Sequence, residues 1–266
     1  MSRMAGKSKS TGMSREALVA RLQELIHQNR QARDPERDAA NGSPLLAPLQ
    51  RWQSRRLAAE FQDLLEARDS AHATGFFLSD LYGDHDVSTR DRDIERVLPM
   101  MQNLLPPPLL QVAADAIELA MLSHSLDLDM VRALEQAGVR DGDRIDARRY
   151  STAYRQIPGT SRRGRQLELI GTVGHELAEL IRSPWVMRML RVARTPARMA
   201  GLGELQSFLE RGITAFARLR DAHRFVDTVV RRESETSRTL LAGSDVAEPP
   251  PPPPDPAVRT GPAGNP

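Results

Sequence analysis

The sequence contains no cysteine, few aromatic residues and no long hydrophobic run. The absence of cysteine excludes disulfides, thiolate nucleophiles, iron–sulfur clusters and cysteine-ligated zinc, so any metal site would need histidine and carboxylates. No stretch approaches the roughly 18 to 20 apolar residues that a membrane span needs, and residues 1–13 lack the apolar run of a secretion signal. We therefore expect a cytoplasmic protein that does not enter the membrane.

Aromatic residues make up only 4% of the chain, so its core has to be built mainly from Leu, Val, Ile, Met and Ala. Apolar residues recur almost throughout at the i, i+3, i+4, i+7 spacing of an amphipathic helix, and no strand-like alternation persists. This pattern predicts one all-α domain of about nine or ten helices over residues 14–240. A polar loop at residues 138–146 is compatible with a subdomain boundary near residue 140.

Several helix limits can be predicted from the sequence. A first helix should run from Ser14 to Gln31, and a long second helix should carry the apolar residues from Leu49 to Leu65. Pro107 or Pro108 can open a later helix, since proline is favoured in the first turn.

Both ends of the chain are predicted to be disordered, at residues 1–13 and 241–266. The C-terminal segment has six consecutive prolines and no pattern that could form a core. Polyproline serves either as a stiff spacer or as a ligand for an aromatic groove, and the spacer is favoured here.

Charge is divided unevenly along the chain. Residues 76–138 hold 11 Asp or Glu against 4 Arg, a net charge of −7, and residues 141–200 hold 12 Arg against 6 acids, a net charge of +6. These halves either pair within the fold or leave the basic half for an acidic partner such as nucleic acid. Pairing is favoured, because Tyr150, Tyr154 and Trp185 are the only aromatic residues of the basic half that could stack on bases.

A first candidate metal site lies at His175, Glu176 and Glu179, one residue away from the zinc-binding pattern H-E-x-x-H. A helical projection places Glu168, His175 and Glu179 within about 40° of one another. However, Glu179 stands where the second histidine ligand should be. The segment is more simply interpreted as an amphipathic helix with a polar face.

A second candidate metal site has Asp84, Asp86, Ser88 and Glu95 at positions 1, 3, 5 and 12 of a calcium-binding EF-hand loop. Position 6, which needs glycine, is Thr89. Ser88 can start a helix without any metal. The sequence therefore predicts no metal site at either place.

Two further features have a structural and a functional interpretation. His124 falls on the apolar side of its helix, where a core histidine bonded to backbone or to a carboxylate is favoured over a ligand or an acid–base group. Gly201 and Gly203, close to Arg194 and Arg198, could present free N–H groups to an anion, but a plain helix junction is favoured. The sequence contains no P-loop and no dinucleotide-binding fingerprint.

The string FFLSDLYG at residues 76–83, followed by Arg90-Asp91, resembles an uncharacterised bacterial family known for an FFLEE motif. Similar stretches occur at residues 165–170 (RQLELI) and 196–212 (PARMAGLGELQSFLERG), so the resemblance extends from about residue 50 to residue 233. Ser79-Asp80 replaces the two glutamates of the motif, which argues against a role that needs both carboxylates. The resemblance implies a single all-helical domain and supplies no activity.

Adjacent phenylalanines point about 100° apart on a helix, so either both are packed between helices or one is left for a partner. The core interpretation is favoured, and the alternative makes a candidate interaction motif of Phe76, Phe77, Asp80, Tyr82 and Gly83. No catalytic, cofactor-binding or metal-binding residue is predicted. The sequence favours a non-enzymatic helical module that binds or regulates another protein. A helical enzyme or ligand-binding protein that uses histidine and carboxylates, and an arginine-mediated nucleic-acid binder, are the alternatives.

Overall fold

The computed structural model describes residues 13–81, 105–157, 160–199, 201 and 203–251. In these residues it contains ten α-helices, the 3-10 helix Ala39–Gly42 and the π-helical turn Phe77–Leu81, and it contains no strand. The α-helices are α1 Arg15–Ala32, α2 Leu46–Glu60, α3 Gln62–Glu66, α4 Ala71–Phe76, α5 Pro107–Gln136, α6 Ala147–Gln156, α7 Thr160–Ile181, α8 Pro184–Met199, α9 Gly203–Phe216 and α10 Ala222–Leu241. The predicted all-α fold is confirmed.

Polar side chains start three of the helices. Ser14, Asp146 and Asp221 each accept a hydrogen bond from the backbone N–H three residues later, which satisfies one of the free donors of a first turn. Helix α5 begins at Pro107, as the proline run predicts.

The 30-residue helix α5 is the central element of the fold, about 45 Å long at 1.5 Å per residue. Its first half packs on α1, where Leu22 meets Leu110 and Ala114 in a buried cluster. Its second half contributes Met130 and Leu134 to a second cluster shared with α2 and α6. A single helix thus organises both of these clusters.

The second cluster contains residues from both sides of residue 140. Trp52 of α2 stacks on Tyr150 of α6 with ring centroids 4.1 Å apart, and Leu240 of α10 belongs to the same cluster. The loop at residues 138–146 therefore does not divide the described residues into two separate cores.

The predicted second helix is interrupted. Helix α2 ends at Glu60, and the chain turns at Phe61 before α3 begins. The ring of Phe61 is fully buried and meets the ring of Phe77 edge-on. Apolar spacing continues across the turn, so the periodicity of the sequence does not reveal it.

The described part of the C-terminal segment differs from the expected solvated tail. Residues 244–248 lie along α6, where the backbone N–H of Val246 donates to Ser151 and Asp245 pairs with Arg155. The carboxylate of Glu248 accepts a hydrogen bond from the N–H of Ala147 at the start of α6. A negative charge is stabilised at a helix N-terminus, which gives this segment a reason to bind.

Helices α7 and α10 approach each other closely because α7 carries glycine at the contact. A Cβ added at Gly174 would lie 2.8 Å from both γ-carbons of Val226 on α10. None of the described helices is long and apolar enough to cross a membrane.

Candidate functional site

The phenylalanines of the FFLSDLYG segment are packed inside the fold. Phe76 and Phe77 are each 8% exposed, and the ring of Phe76 lies against α9 at Gly212 and Phe208. The side chain of Asp80, and Tyr82 and Gly83 as whole residues, lie outside the described part of the chain. An interaction role for these three residues stays a prediction.

The two charged halves are joined at two places in the described residues. On α7, Arg162 Nη1 lies 2.5 Å from Asp129 Oδ2, and Arg165 Nε lies 2.8 Å from Glu118 Oε1. Burial raises the pKa of Glu118, but hydrogen bonds from Arg165 and Arg21 outweigh it and hold that pKa below its ordinary value. Part of the basic half is therefore neutralised within the fold.

Helix α8 carries a concentration of positive charge that is only partly compensated. It contains four arginines and no acidic residue. Arg194 pairs with Glu210 of α9, with Nε 2.8 Å from Oε1, and this hydrogen bond holds the pKa of Glu210 below its ordinary value. Within the described residues, no carboxylate forms an ion pair with Arg188 or Arg191, which are both exposed.

Helix α8 also carries an exposed apolar row. Trp185 is 44% exposed, Val192 76% and Met199 84%. They account for three of the six exposed large hydrophobic residues in the described chain. They are seven residues apart, so they fall within about 40° of one another on the helix, beside Arg188. Val186, on another side of α8, is buried and anchors the helix to the rest of the fold.

An open surface depression of about 450 Å³ lies between α4 and α9. Its lining includes His72, Phe76, Glu210, Arg211 and Arg218. Small-molecule sites bury most of their ligand in a concave and largely apolar cavity. This depression is open to solvent, so a ligand lying in it would stay partly exposed.

The predicted pattern around His175 acquires partners from α10. His175 Nδ1 lies 2.8 Å from His223 Nδ1, and each ring uses its other nitrogen to contact a carboxylate. His175 Nε2 lies 3.0 Å from Asp227 Oδ1, and His223 Nε2 lies 2.7 Å from Glu179 Oε1. The result is a linear chain of four titratable groups across the contact between α7 and α10.

The remaining members of the predicted pattern lie elsewhere. Glu168 pairs with Arg165, and the pKa of Glu176 is raised by burial and then by the charge of Asp115. Within the described residues, no three His, Asp or Glu side chains converge on one point as metal ligands.

His124 is a buried histidine, as its position on the apolar face predicts, but its partner is an amide. Its Nε2 lies 2.7 Å from Asn41 Oδ1, and the Asn41 amide group in turn donates to the carbonyls of Ala32 and Asp38. Burial, and then the charge of Arg33, lowers the pKa of His124 to about 4. The ring is therefore neutral at pH 7 and ties α5 to the loop after α1.

A mostly buried ion pair connects α2 and α10, with side chains that are 11% and 17% exposed. Arg56 of α2 donates two hydrogen bonds to Glu233 of α10, of 3.1 and 2.7 Å. Burial alone would lower the pKa of Arg56, but the charge of Glu233 outweighs it and raises that pKa. The pair connects α2 to α10.

The two other candidate sites of the sequence lie at a helix junction and outside the described residues. Gly201 has a φ of +73° and α9 starts at Gly203, which forms the helix junction that the sequence favours. The EF-hand-like residues Asp84 to Glu95 lie outside the described part of the chain.

Two features of the structure escape the sequence reasoning. His223 and Asp227 lie about 50 residues from His175, so no local spacing links them to it. The seven-residue spacing of Trp185, Val192 and Met199 on α8 is visible in the sequence. Spacing alone, however, does not distinguish an exposed row of apolar residues from a buried one.

Comparison with known proteins identifies a family and no activity. No curated protein and no solved structure matches the chain significantly. The resemblance to the FFLEE-motif family stays a prediction. One family model, described as "Domain of unknown function (DUF8198)", matches residues 32–247, which is most of the chain. The chain therefore belongs to the DUF8198 family.

Proposed function

We propose that this protein is a non-enzymatic binding module whose α8 face docks an acidic amphipathic helix of a partner protein. The observation that carries the proposal is the exposed row of Trp185, Val192 and Met199 beside Arg188, which forms no ion pair in the described residues. A group of large apolar side chains exposed together on a protein surface often marks an interaction site.

The shape of the apolar row favours a helix as the partner. Trp185, Val192 and Met199 occupy one position of a heptad, and the half-buried Met189 lies four residues after Trp185, where the other apolar position of the heptad falls. A row about 40° wide matches the narrow seam of a coiled coil. Helices that lie on membranes bury a broader apolar face.

The positive charge of α8 indicates which kind of helix would bind to it. Arg188, Arg191 and Arg198 are exposed along the same helix, which has no acidic residue of its own. A partner with Asp or Glu beside its apolar row would be attracted, whereas a second copy of α8 would bring like charges together. The charge therefore favours an acidic partner over self-association.

Nucleic acid fits this surface less well. Tyr150 and Tyr154 are buried in the second core cluster, which leaves Trp185 as the one exposed aromatic residue in the described part of residues 141–200. Binding of single strands combines arginines with several aromatic platforms. A lone tryptophan beside an apolar row favours protein as the partner.

The two tryptophans allow a direct test of the proposal. Trp52 is 1% exposed and Trp185 is 44% exposed, so acrylamide should quench mainly the emission of Trp185. The full chain is titrated with a tryptophan-free peptide of about three heptads that has Leu at a and d and Glu at e and g. We expect a blue shift and protection of Trp185 from acrylamide, both absent in Trp185→Phe.

Matched controls distinguish the alternatives. A peptide with Lys in place of Glu should not bind. Arg188→Glu should weaken binding of the acidic peptide, whereas Arg148→Glu, at an exposed site on α6, should leave it unchanged. The proposal is wrong if Trp185 stays quenchable with the acidic peptide, or if only self-association, nucleic acid or anionic vesicles protect it.

A further inference from the structure

We propose that His175 and His223 form a binding site for one divalent transition-metal ion, with zinc as the expected occupant, between α7 and α10. The site is independent of the α8 face. It uses the two Nδ1 atoms as ligands, and Asp227 and Glu179 as partners that orient the rings.

The two rings meet edge to edge. Their planes are inclined by only 19°, and their centroids are 5.0 Å apart while the Nδ1 atoms are 2.8 Å apart. The distance between the Nδ1 atoms is shorter than the distance between the centroids by about twice the distance from a ring centre to its nitrogen. Both Nδ1 atoms therefore lie almost on the line that joins the two centroids. The in-plane lone pairs of the two Nδ1 atoms therefore point toward each other.

The carboxylates fix which nitrogen carries a proton. Asp227 and Glu179 accept hydrogen bonds, so the Nε2 atom of each histidine must be the N–H donor. In a neutral imidazole this leaves Nδ1 as a bare lone pair. Two bare lone pairs at 2.8 Å repel each other, so a positive charge belongs between them, either a shared proton or a metal ion.

The surroundings favour a metal ion. A metal-bound histidine commonly donates its other ring N–H to a carboxylate, which fixes the tautomer and makes the ligand more basic. Here this arrangement occurs twice, with Asp227 on one ring and Glu179 on the other. Imidazole nitrogen is a preferred ligand of zinc, copper and nickel.

Binding of the ion requires the rings to move apart and to tilt. Zinc–nitrogen distances are about 2.0 to 2.1 Å, so two nitrogens 2.8 Å apart must separate by about half an ångström to hold one tetrahedral ion, and each ring must tilt by roughly 35° so that both lone pairs point at the ion. The histidine side chains are 37% and 40% exposed, so the rings can shift and water can complete the coordination. When the ion binds, the shared proton leaves to the buffer.

The helices beneath the rings are held in place. Gly174 and Val226 form the close contact between α7 and α10, and they lie next to His175 and one helical turn after His223, respectively. The backbone positions of both histidines are therefore set by packing before any ion arrives. Site residues on packed helices are positioned more accurately than residues on loops.

Calorimetric titration of the metal-free full chain with zinc chloride tests the site. We expect one ion per chain, and loss of saturable binding in His175→Gln and in His223→Gln. Asp227→Asn should weaken binding at least about tenfold, the usual effect of removing an outer partner. His27→Gln is the matched control, because His27 is exposed on α1 and should leave binding unchanged.

Nitrogen-15 NMR of the histidines identifies the atoms involved. Zinc should shift the Nδ1 resonances of His175 and His223 and leave their Nε2 atoms protonated. The proposal is overturned if zinc binds the parent chain no more tightly than His175→Gln, or if the Nδ1 resonances do not respond. In that case the two nitrogens only share a proton. Circular dichroism of each variant establishes that a loss of binding is not a loss of fold.

Discussion

Arginine has different roles in the interior between α2 and α10 and on the exposed surface of α8. Arg56 of α2 is mostly buried and donates two hydrogen bonds to Glu233 of α10. Arg191 of α8 is exposed, and no carboxylate among the described residues pairs with it. A buried arginine is tolerated only with its partner, whereas an exposed one keeps its charge available. Arg56 therefore contributes to the stability of the fold, whereas the charge of Arg191 is available for binding.

The strongest test of this comparison removes the buried arginine. Arg56→Met leaves the mostly buried Glu233 carboxylate without its partner, and we expect a loss of about 2 to 4 kcal/mol in the free energy of unfolding, less than at a fully buried pair because 17% of the Glu233 side chain is exposed. The double variant with Glu233→Met should regain most of that loss, because no charge is left uncompensated. Urea unfolding measures both. A loss below about 1 kcal/mol in the single variant, as at exposed ion pairs, would contradict the comparison.

A smaller effect is expected at the contact between α7 and α10. Gly174→Ala places a Cβ 2.8 Å from the γ-carbons of Val226, a stiff and buried side chain, and should cost about 1 to 3 kcal/mol. Gly164→Ala, on the same helix, meets nothing within 4 Å and should stabilise the protein by up to about 1 kcal/mol. Thermal unfolding of the pair measures the difference. Equal effects of the two substitutions would show that α7 and α10 are not closely packed.

His124 makes the stability of the folded protein depend on pH. Its pKa of about 4 lies below the ordinary value of a histidine in an unfolded chain, so the unfolded state takes up a proton first as the pH falls. Its contribution is fully present above about pH 6.5, and it is lost progressively toward pH 4. We expect the parent protein to lose about 2 kcal/mol more than His124→Gln between pH 7 and pH 5. If the free energy of unfolding changes with pH equally in the two proteins, the low pKa of His124 is wrong.

The local features of the fold are predictable from the sequence, because helices are specified by neighbouring residues. The apolar spacing after Ser14 predicts α1 to within one residue at its end, and the proline run predicts the start of α5. The turn at Phe61 is not predictable in this way, since it depends on Phe77 lying across from it.

Contacts between distant residues explain what the sequence misses. His175 shows half of an incomplete zinc pattern, and its second imidazole, His223, comes from a helix 48 residues away. Glu248 lies in a segment that has no core-forming pattern, yet it binds the start of α6 because Ala147 offers a free N–H there. The exposure of Trp185 depends likewise on what the fold places beside α8, and not on residues near it in the sequence.

A charge-swap experiment on α8 tests most directly whether this helix provides a docking surface that the fold does not need. Arg188→Glu with Arg191→Glu is compared with the parent chain, using the acidic heptad peptide and its lysine counterpart. We expect the variant to lose affinity for the acidic peptide and to gain affinity for the lysine peptide, with an unchanged urea midpoint. A variant that binds both peptides as the parent does, or that unfolds at clearly lower urea, would show that these arginines belong to the fold and not to an interface.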